Sequence, residues 1–409
     1  MLGIVPARLN KDHIVNTMWS FLLGLLYHQY FMALDLQQFG AKLRKYRDQL
    51  KLTIAEVAGT TGISTERLEP FESGQLLPTG DEILILADFY RCDYRFFISN
   101  ERLAPFEQTE NLYRRFGDEF SKEDRWRVQE FLFLCECEEQ LLQALRRPKQ
   151  QFKYEPKGNY FKGHAEEAAA LFRRHFRYSD ESASVDIYGD LRKLGVHIFR
   201  RRLENSNISG LTVQHPFAGA CILVNYSEDI YRQTFTVAHE AAHVLLDNQD
   251  VVVSFSQWKS RDLVEVRANT FASRYLLPPT LLKKIPVEKW NGGQLVHWAA
   301  KLKVSSAALA IGLKESEIIS DSTYRDIVGA RVSQNVKTDP ELAGFTGKSL
   351  DRKKSLLESG LSSYYVSLCF DAIAESFITN ARAAEMLLLD EAQLGGLAEM
   401  FHVKLVVHE

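Results

Sequence analysis

Residues 234–248 read TFTVAHEAAHVLLDN and contain His239, Glu240 and His243 in the order H-E-x-x-H. The run is largely apolar and free of Gly and Pro, which predicts a helix. Residues four apart on a helix share a face, about 6 Å apart along the axis. Two imidazoles so placed can ligate one Zn²⁺, and the Glu after the first His can reach a water at the metal. Around this stretch the rest of the chain is read as what completes, covers or directs a metal site.

A catalytic zinc takes three protein ligands and keeps a fourth position for water. The candidates for the third are Asp247, Asp250, Asp262, Glu265 and His297. Asp247 lies four residues past His243 and shares its face, but it is short and sits on the same helix. Glu265 fits better. It lies early in RDLVEVRANTFASRYLLP, a second predicted helix stopped by Pro278 and Pro279. That helix buries Val264, Ala268, Phe271 and Tyr275, or their neighbours, which brings Glu265 to the edge of the interface with the first helix. A Glu on a second helix is the His₂Glu arrangement of zinc peptidases.

FTVAHEAAHVLL followed by VEVRANTFASRYLLP resembles the ImmA/IrrE family of zinc metallopeptidases. The likeness reaches back to ISGLTVQHPFAGACILVN and Arg232, and forward to AAKLKVSSAAL. It implies Zn²⁺ as cofactor, His239, His243 and Glu265 as its ligands, and Glu240 as the catalytic base. Ala242 stands where the family usually has Gly, a mild packing change. Ala268 and Asn269 match the family's A-N pair, with Asn269 either supporting a ligand from behind or in a packing or structural hydrogen-bonding role. For the oxyanion of peptide hydrolysis, Tyr275, His215, His297 and Tyr231 are the candidate donors.

Upstream of the site, VHIFRRRL, ISGLTVQHP and GACILVN read as three short strands. HAEEAAALFRRHF and DIYGDLRKLG precede them as amphipathic helices. WNGGQLVHWAAKLKVSSAALAIGLKESEII follows as two helices around VSS. A metallopeptidase domain is therefore expected over 160–320. Residues 321–409 read as a C-terminal helical domain ending in a candidate strand, HVKLVVH.

The N-terminal part has a different organisation. LQQFGAKLRKYRDQL places Leu36, Phe39, Leu43, Tyr46 and Leu50 on one helical face. Four further short helices are expected before residue 100, with a Gly62 turn between the second and third. Leu52–Tyr90 resembles the Cro/repressor-like (XRE) helix-turn-helix, giving a domain over 34–100. The departures concern DNA. Ile54 stands where the family usually has a polar residue, often Gln. Glu66, Arg67 and Glu69 lie on the expected recognition helix, and Pro70 is expected to disturb it. Acidic side chains face phosphates poorly. The basic residues Lys42, Arg44, Lys45 and Arg47 lie on the first helix instead. DNA, a protein partner or a second copy of the chain are its expected partners.

Residues 101–159 are expected to be a helical connector, SKEDRWRVQEFLFLCECEEQLLQALRR, and a linker with two prolines and a Gly. In 1–33, the apolar stretch from Met18 to Leu34 is interrupted by His28 and Gln29. It falls short of the roughly 20 residues of a membrane span. A start at Met32 or a docked helix is expected rather than an anchor.

A chain of 409 residues exceeds one ordinary core. A net charge of -3 and a pI near 6.4 give no global attraction to nucleic acid, so any such surface is local. Five scattered cysteines argue against a disulfide framework and for a reducing, cytoplasmic setting. Cys135 and Cys137 point about 200° apart on a helix and are expected to be packing residues.

The expected protein is mainly α and multidomain. It has a five-helix N-terminal bundle, a central α+β zincin-like domain with a small sheet, and a helical C-terminal region. By resemblance it cleaves a regulatory protein, such as an XRE-type repressor, in a stress, defence or mobile-element response. The alternative is a transcription regulator whose metal domain senses or is inactive.

Overall fold

A computed structural model describes residues 34–99, 107–156, 158, 161–183, 185–247, 251–255 and 262–405. Expectations for 1–33, Asp250, Arg261 and the last residues of HVKLVVH fall outside these. The chain divides into two compact units, 1–104 and 105–409.

The first unit is the expected five-helix bundle: α1 Leu36–Gln49, α2 Ile54–Thr61, α3 Thr65–Glu72, α4 Gly80–Phe89 and α5 Tyr94–Ile98. Several boundaries have a local cause. Asp35 accepts from the first amides of α1. Capping boxes pair Thr53 with Glu56 at α2 and Thr79 with Glu82 at α4. Gly62 ends α2 in the left-handed conformation, φ 73°. An aromatic core of Phe39, Tyr46, Phe71, Tyr90 and Phe97 holds the five together. Gly40 lets α1 close onto α3, since a Cβ there would meet the Phe71 carbonyl oxygen at 2.4 Å. Contrary to the expectation of disruption, α3 runs through Pro70 as far as Glu72. A proline forfeits one backbone donor. Here Leu68, Phe71 and Glu72 are buried in the bundle, and tertiary packing holds the short helix.

In the second unit α6 Glu107–Phe116, α7 Lys122–Ala144, α8 Phe161–His175 and α9 Ile187–Lys193 precede a sheet. The strands are β1 His197–Arg201, β2 Ile208–His215, β3 Gly219–Asn225 and β4 Val251–Phe255, in the order β1-β3-β2-β4. β1 runs parallel to β3, with His197 opposite Cys221. β2 runs antiparallel to β3 and β4, with Leu211 opposite both Leu223 and Val253. The fourth strand was not expected. Its sequence, VVVSF, is a β-branched run of the kind that enters a sheet buried on both faces.

α10 Ile230–Leu246 and α11 Leu263–Leu276 carry the H-E-x-x-H stretch and Glu265. After them come α12 Pro279–Lys283, α13 Gly292–Leu302, α14 Ser306–Glu315, α15 Asp321–Ile327, α16 Gly347–Glu358, α17 Ser363–Ala374, α18 Asn380–Met386 and α19 Glu391–Met400.

The sheet is the middle of three layers. Ile198, Ile222 and Val224 point into one core with α8, α10 and α11. Phe199, Leu211, Val213 and Leu223 point into the other, with α7 and α17. The segment expected to be a connector is therefore central. α7 buries Phe131, Leu134, Cys135 and Cys137, and both thiols are pushed up by burial, as packing residues are. The C-terminal helices back the sheet rather than forming a body of their own. Residues 402–405 form no strand. No helix among the described residues is long and apolar enough to cross a membrane.

Candidate metal centre

α10 starts at Asp229, whose carboxylate accepts from the amides of Tyr231 and Arg232. Small side chains at Ala238, Ala241 and Ala242 are buried and let α11 pack close. α11 starts at Asp262, which accepts from the Val264 amide at 2.9 Å. It buries Ala268, Phe271 and Tyr275, with Val264 half-buried. That register turns Glu265 towards α10.

The donor atoms of His239, His243 and Glu265 lie within 4.8 Å of one another. The His239 and His243 Nε2 atoms are 3.1 Å apart. Glu265 Oε2 is 3.3 Å from the first, and Oε1 is 3.6 Å from the second. Ligands held 2.0–2.1 Å from a tetrahedral zinc would be roughly 3.3 Å apart. His239 and His243 are almost fully buried.

The groups behind the imidazoles set their tautomers. Asp247 lies 2.5 Å from His243 Nδ1, and a carboxylate can only accept there. Asn269 Oδ1 stands 3.2 Å from His239 Nδ1. Each ring therefore keeps its proton on Nδ1, donates it in a hydrogen bond and turns an Nε2 lone pair towards the same point. Two lone pairs 3.1 Å apart need a cation or a proton between them, and the donor set suits zinc. Burial, and then the neighbouring His243, lower the His239 pKa to about 3, so this ring stays neutral. Burial raises the Glu265 pKa.

Of the other third-ligand candidates, Asp247 stands behind His243 and pairs with Arg267. Asp262 caps α11, and His297 is exposed beside Trp298. Asn269 does more than pack, since it orients His239.

Glu240 is fully buried. Thr212, on β2, donates to its Oε2 at 2.6 Å, and Oε1 has no hydrogen-bond partner among the described residues. Gly210 makes room for it, because a Cβ there would lie 3.1 Å from Glu240 Oε1 and 2.8 Å from Thr236 Cγ2. Thr212 and Gly210 had no sequence signal beyond their place on a strand beside the motif.

Three of the four expected oxyanion donors are engaged elsewhere, and the fourth, His297, is exposed. Tyr275 donates to Asp190 at 2.7 Å in the core. His215 accepts from the Phe217 and Ala218 amides in the β2–β3 turn. The Tyr231 hydroxyl meets the Ala300 and Val336 carbonyls. Arg232 is engaged too, paired with Glu228 at 3.5 Å and donating to Ser209 at 3.4 Å, but it stands nearer the site. It lies seven residues before His239 on the same helical face, and its charge contributes to lowering the His239 pKa.

Residues 191–314 match the family model of the IrrE N-terminal-like domain, peptidase M78. Residues 38–94 match that of a helix-turn-helix domain. No curated protein matches the chain. The chain thus joins a helix-turn-helix domain to an M78-type peptidase domain, the ImmA/IrrE-like combination.

Proposed function

We propose that the chain is a zinc-dependent endopeptidase acting on a regulatory protein. The observation that carries this is the convergence of His239, His243 and Glu265 donors within 4.8 Å, beside Glu240 on the same helix. When bound, zinc would polarise the scissile carbonyl and lower the pKa of a water towards about 7. His239 and His243 would hold it through Nε2, and Glu265 through its carboxylate. Glu240 Oε1, the oxygen that Thr212 leaves free, takes a proton from the attacking water and returns it to the leaving amine. Such a positioned acid/base is worth about 10²- to 10⁴-fold. Thr212 fixes the carboxylate by its other oxygen. Arg232, a cation on the His239 face, is assigned to the developing oxyanion.

The helix-turn-helix domain on the same chain supports a regulatory substrate, an XRE-type repressor in a stress, defence or mobile-element response, in the cytoplasm. The test is co-expression with candidate repressors. Glu240→Gln is expected to keep zinc and lose cleavage, and His239→Ala to lose both. Normal cleavage by the Glu240→Gln protein would sink the mechanism.

A second reading is a DNA-binding regulator with a sensing or inactive metal domain, and the complete burial of Glu240 favours it. Against it stand the commitments of the bundle's cations. Arg47 makes a two-pronged pair with Glu72 at 2.7 and 2.9 Å, and Arg67 one with Glu82 at 2.5 and 2.8 Å. Lys42 donates to the Phe96 and Ser99 carbonyls. Phosphate binding would show as a log–log salt slope of about −0.9 per phosphate in a gel-shift series. A steep slope together with no cleavage would favour this reading.

A further inference from the structure

A cavity of about 480 Å³ lies beside α10 in the second unit, on the side away from the metal centre. Ile230 lines it and points about 180° round the helix from His239. None of His239, Glu240, His243 and Glu265 lines it. Its volume is in the range of small-molecule sites, roughly 300–1,000 Å³.

The lining has two chemistries. Ile187, Ile198, Ile230, Leu302 and Leu357 form an apolar floor. Four cations and three carboxylates complete the wall, and most of the carboxylates are committed. Asp339 and Glu341 bind Arg200 at 2.6 and 3.0 Å, and Glu341 also binds Lys353 at 3.1 Å. Asp186 caps α9 through the Gly189 amide. Arg192, Lys301 and Lys303 are left with no carboxylate partner among the described residues. The Arg192 guanidinium stacks 4.2 Å over Tyr364, and its Nε is buried with no hydrogen-bond partner among the described residues. Stacking on Tyr364 holds the guanidinium plane in place at the cavity wall. An apolar floor with surplus positive charge suits one kind of guest.

We propose that this cavity binds a small amphipathic monoanion, an apolar chain or ring carrying one carboxylate. The chain lies on the floor, and the carboxylate meets Arg192 and the lysines at the mouth. The site is separate from the metal centre, so it stands or falls independently of the peptidase reading.

The test is titration calorimetry of the full chain with hexanoate, octanoate and decanoate, with 1-octanol and octylamine as controls. One-site binding of the carboxylates is expected, tightening roughly fourfold per added methylene. Octanol is expected to bind more weakly and octylamine not at all. Lys303→Glu, at an exposed position, should weaken octanoate about tenfold while leaving octanol unchanged. Ile230→Trp should fill the cavity and abolish binding, with circular dichroism checking its fold. His239→Ala should bind octanoate like the wild type. The proposal is overturned by an absence of saturable carboxylate binding, by octylamine or octanol binding as tightly, or by wild-type affinity in Lys303→Glu.

Discussion

His239 and His243 owe their poise to side chains behind them. Asp247 and Asn269 accept from the Nδ1–H groups, so both Nε2 lone pairs point one way. Groups of this kind are typically worth 10- to 100-fold in metal affinity. Asn269→Ala is therefore expected to weaken zinc by about that factor while leaving the fold intact, measured by competition with a chromophoric chelator. Unchanged affinity would reduce Asn269 to packing. Gly210 is equally constrained. Gly210→Ala should cost about 1–3 kcal/mol of stability, because the new methyl meets Thr236 and the Leu223 carbonyl at or within 3.0 Å. It should also depress cleavage by displacing Glu240. A urea midpoint equal to wild type would show that α10 yields freely. At this scale the sequence was most legible at His239, Glu240, His243 and Glu265, because helical spacing alone brings the first three together. Thr212 and the roles of Asp247 and Asn269 depend on contacts that no spacing encodes.

Between elements, α7 is tied to β1 by a buried charge cluster. His197 lies between Glu138 and Glu139, with ring nitrogens 3.3 and 3.2 Å from their carboxylates. Burial opposes its charge, but the two carboxylates outweigh this and raise the pKa to about 10. Burial likewise opposes the charge on Glu139, yet His197 and Lys149 lower its pKa to about 2. The signs define a window. The His197 contribution is fully present below its ordinary pKa near 6.5 and is lost as pH rises through about 10. That of Glu139 is present above its ordinary 4.5 and is lost as pH falls through about 2. Urea midpoints should therefore fall between pH 6.5 and 10 in the wild type and stay flatter in His197→Gln. Parallel profiles would dismiss the cluster as a source of the pH dependence. The five N-terminal helices were readable from caps, Gly62 and periodicity. The use of Arg47 and Arg67 was not, because their partners Glu72 and Glu82 lie 25 and 15 residues away.

For the second unit as a whole, the decisive fact is that α7 and α17 cover one face of the sheet and α8, α10 and α11 cover the other. A fragment spanning 105–320 would expose Phe199, Leu211 and Leu223, which the C-terminal helices help to bury. Burying apolar area is worth about 25 cal/mol per Å². That fragment is expected to be insoluble or molten, whereas 105–409 should unfold in one cooperative transition. A soluble 105–320 fragment with a sharp transition would show that the C-terminal helices are an independent body.

The sequence by itself determined the H-E-x-x-H helix, its partner helix, three of the four strands and the five-helix bundle. These are local matters of 3.6- and 2-residue periodicity, caps and chain breakers. Only the tertiary structure decided that a charged, aromatic segment, expected to be a connector, lies at the centre of a core, and that VVVSF completes the sheet. It alone placed a strand threonine against Glu240 and paired the bundle's arginines with its acids. Periodicity records which face of an element is apolar. It does not record which distant element covers that face, and the meeting of His239, His243 and Glu265 depends on both.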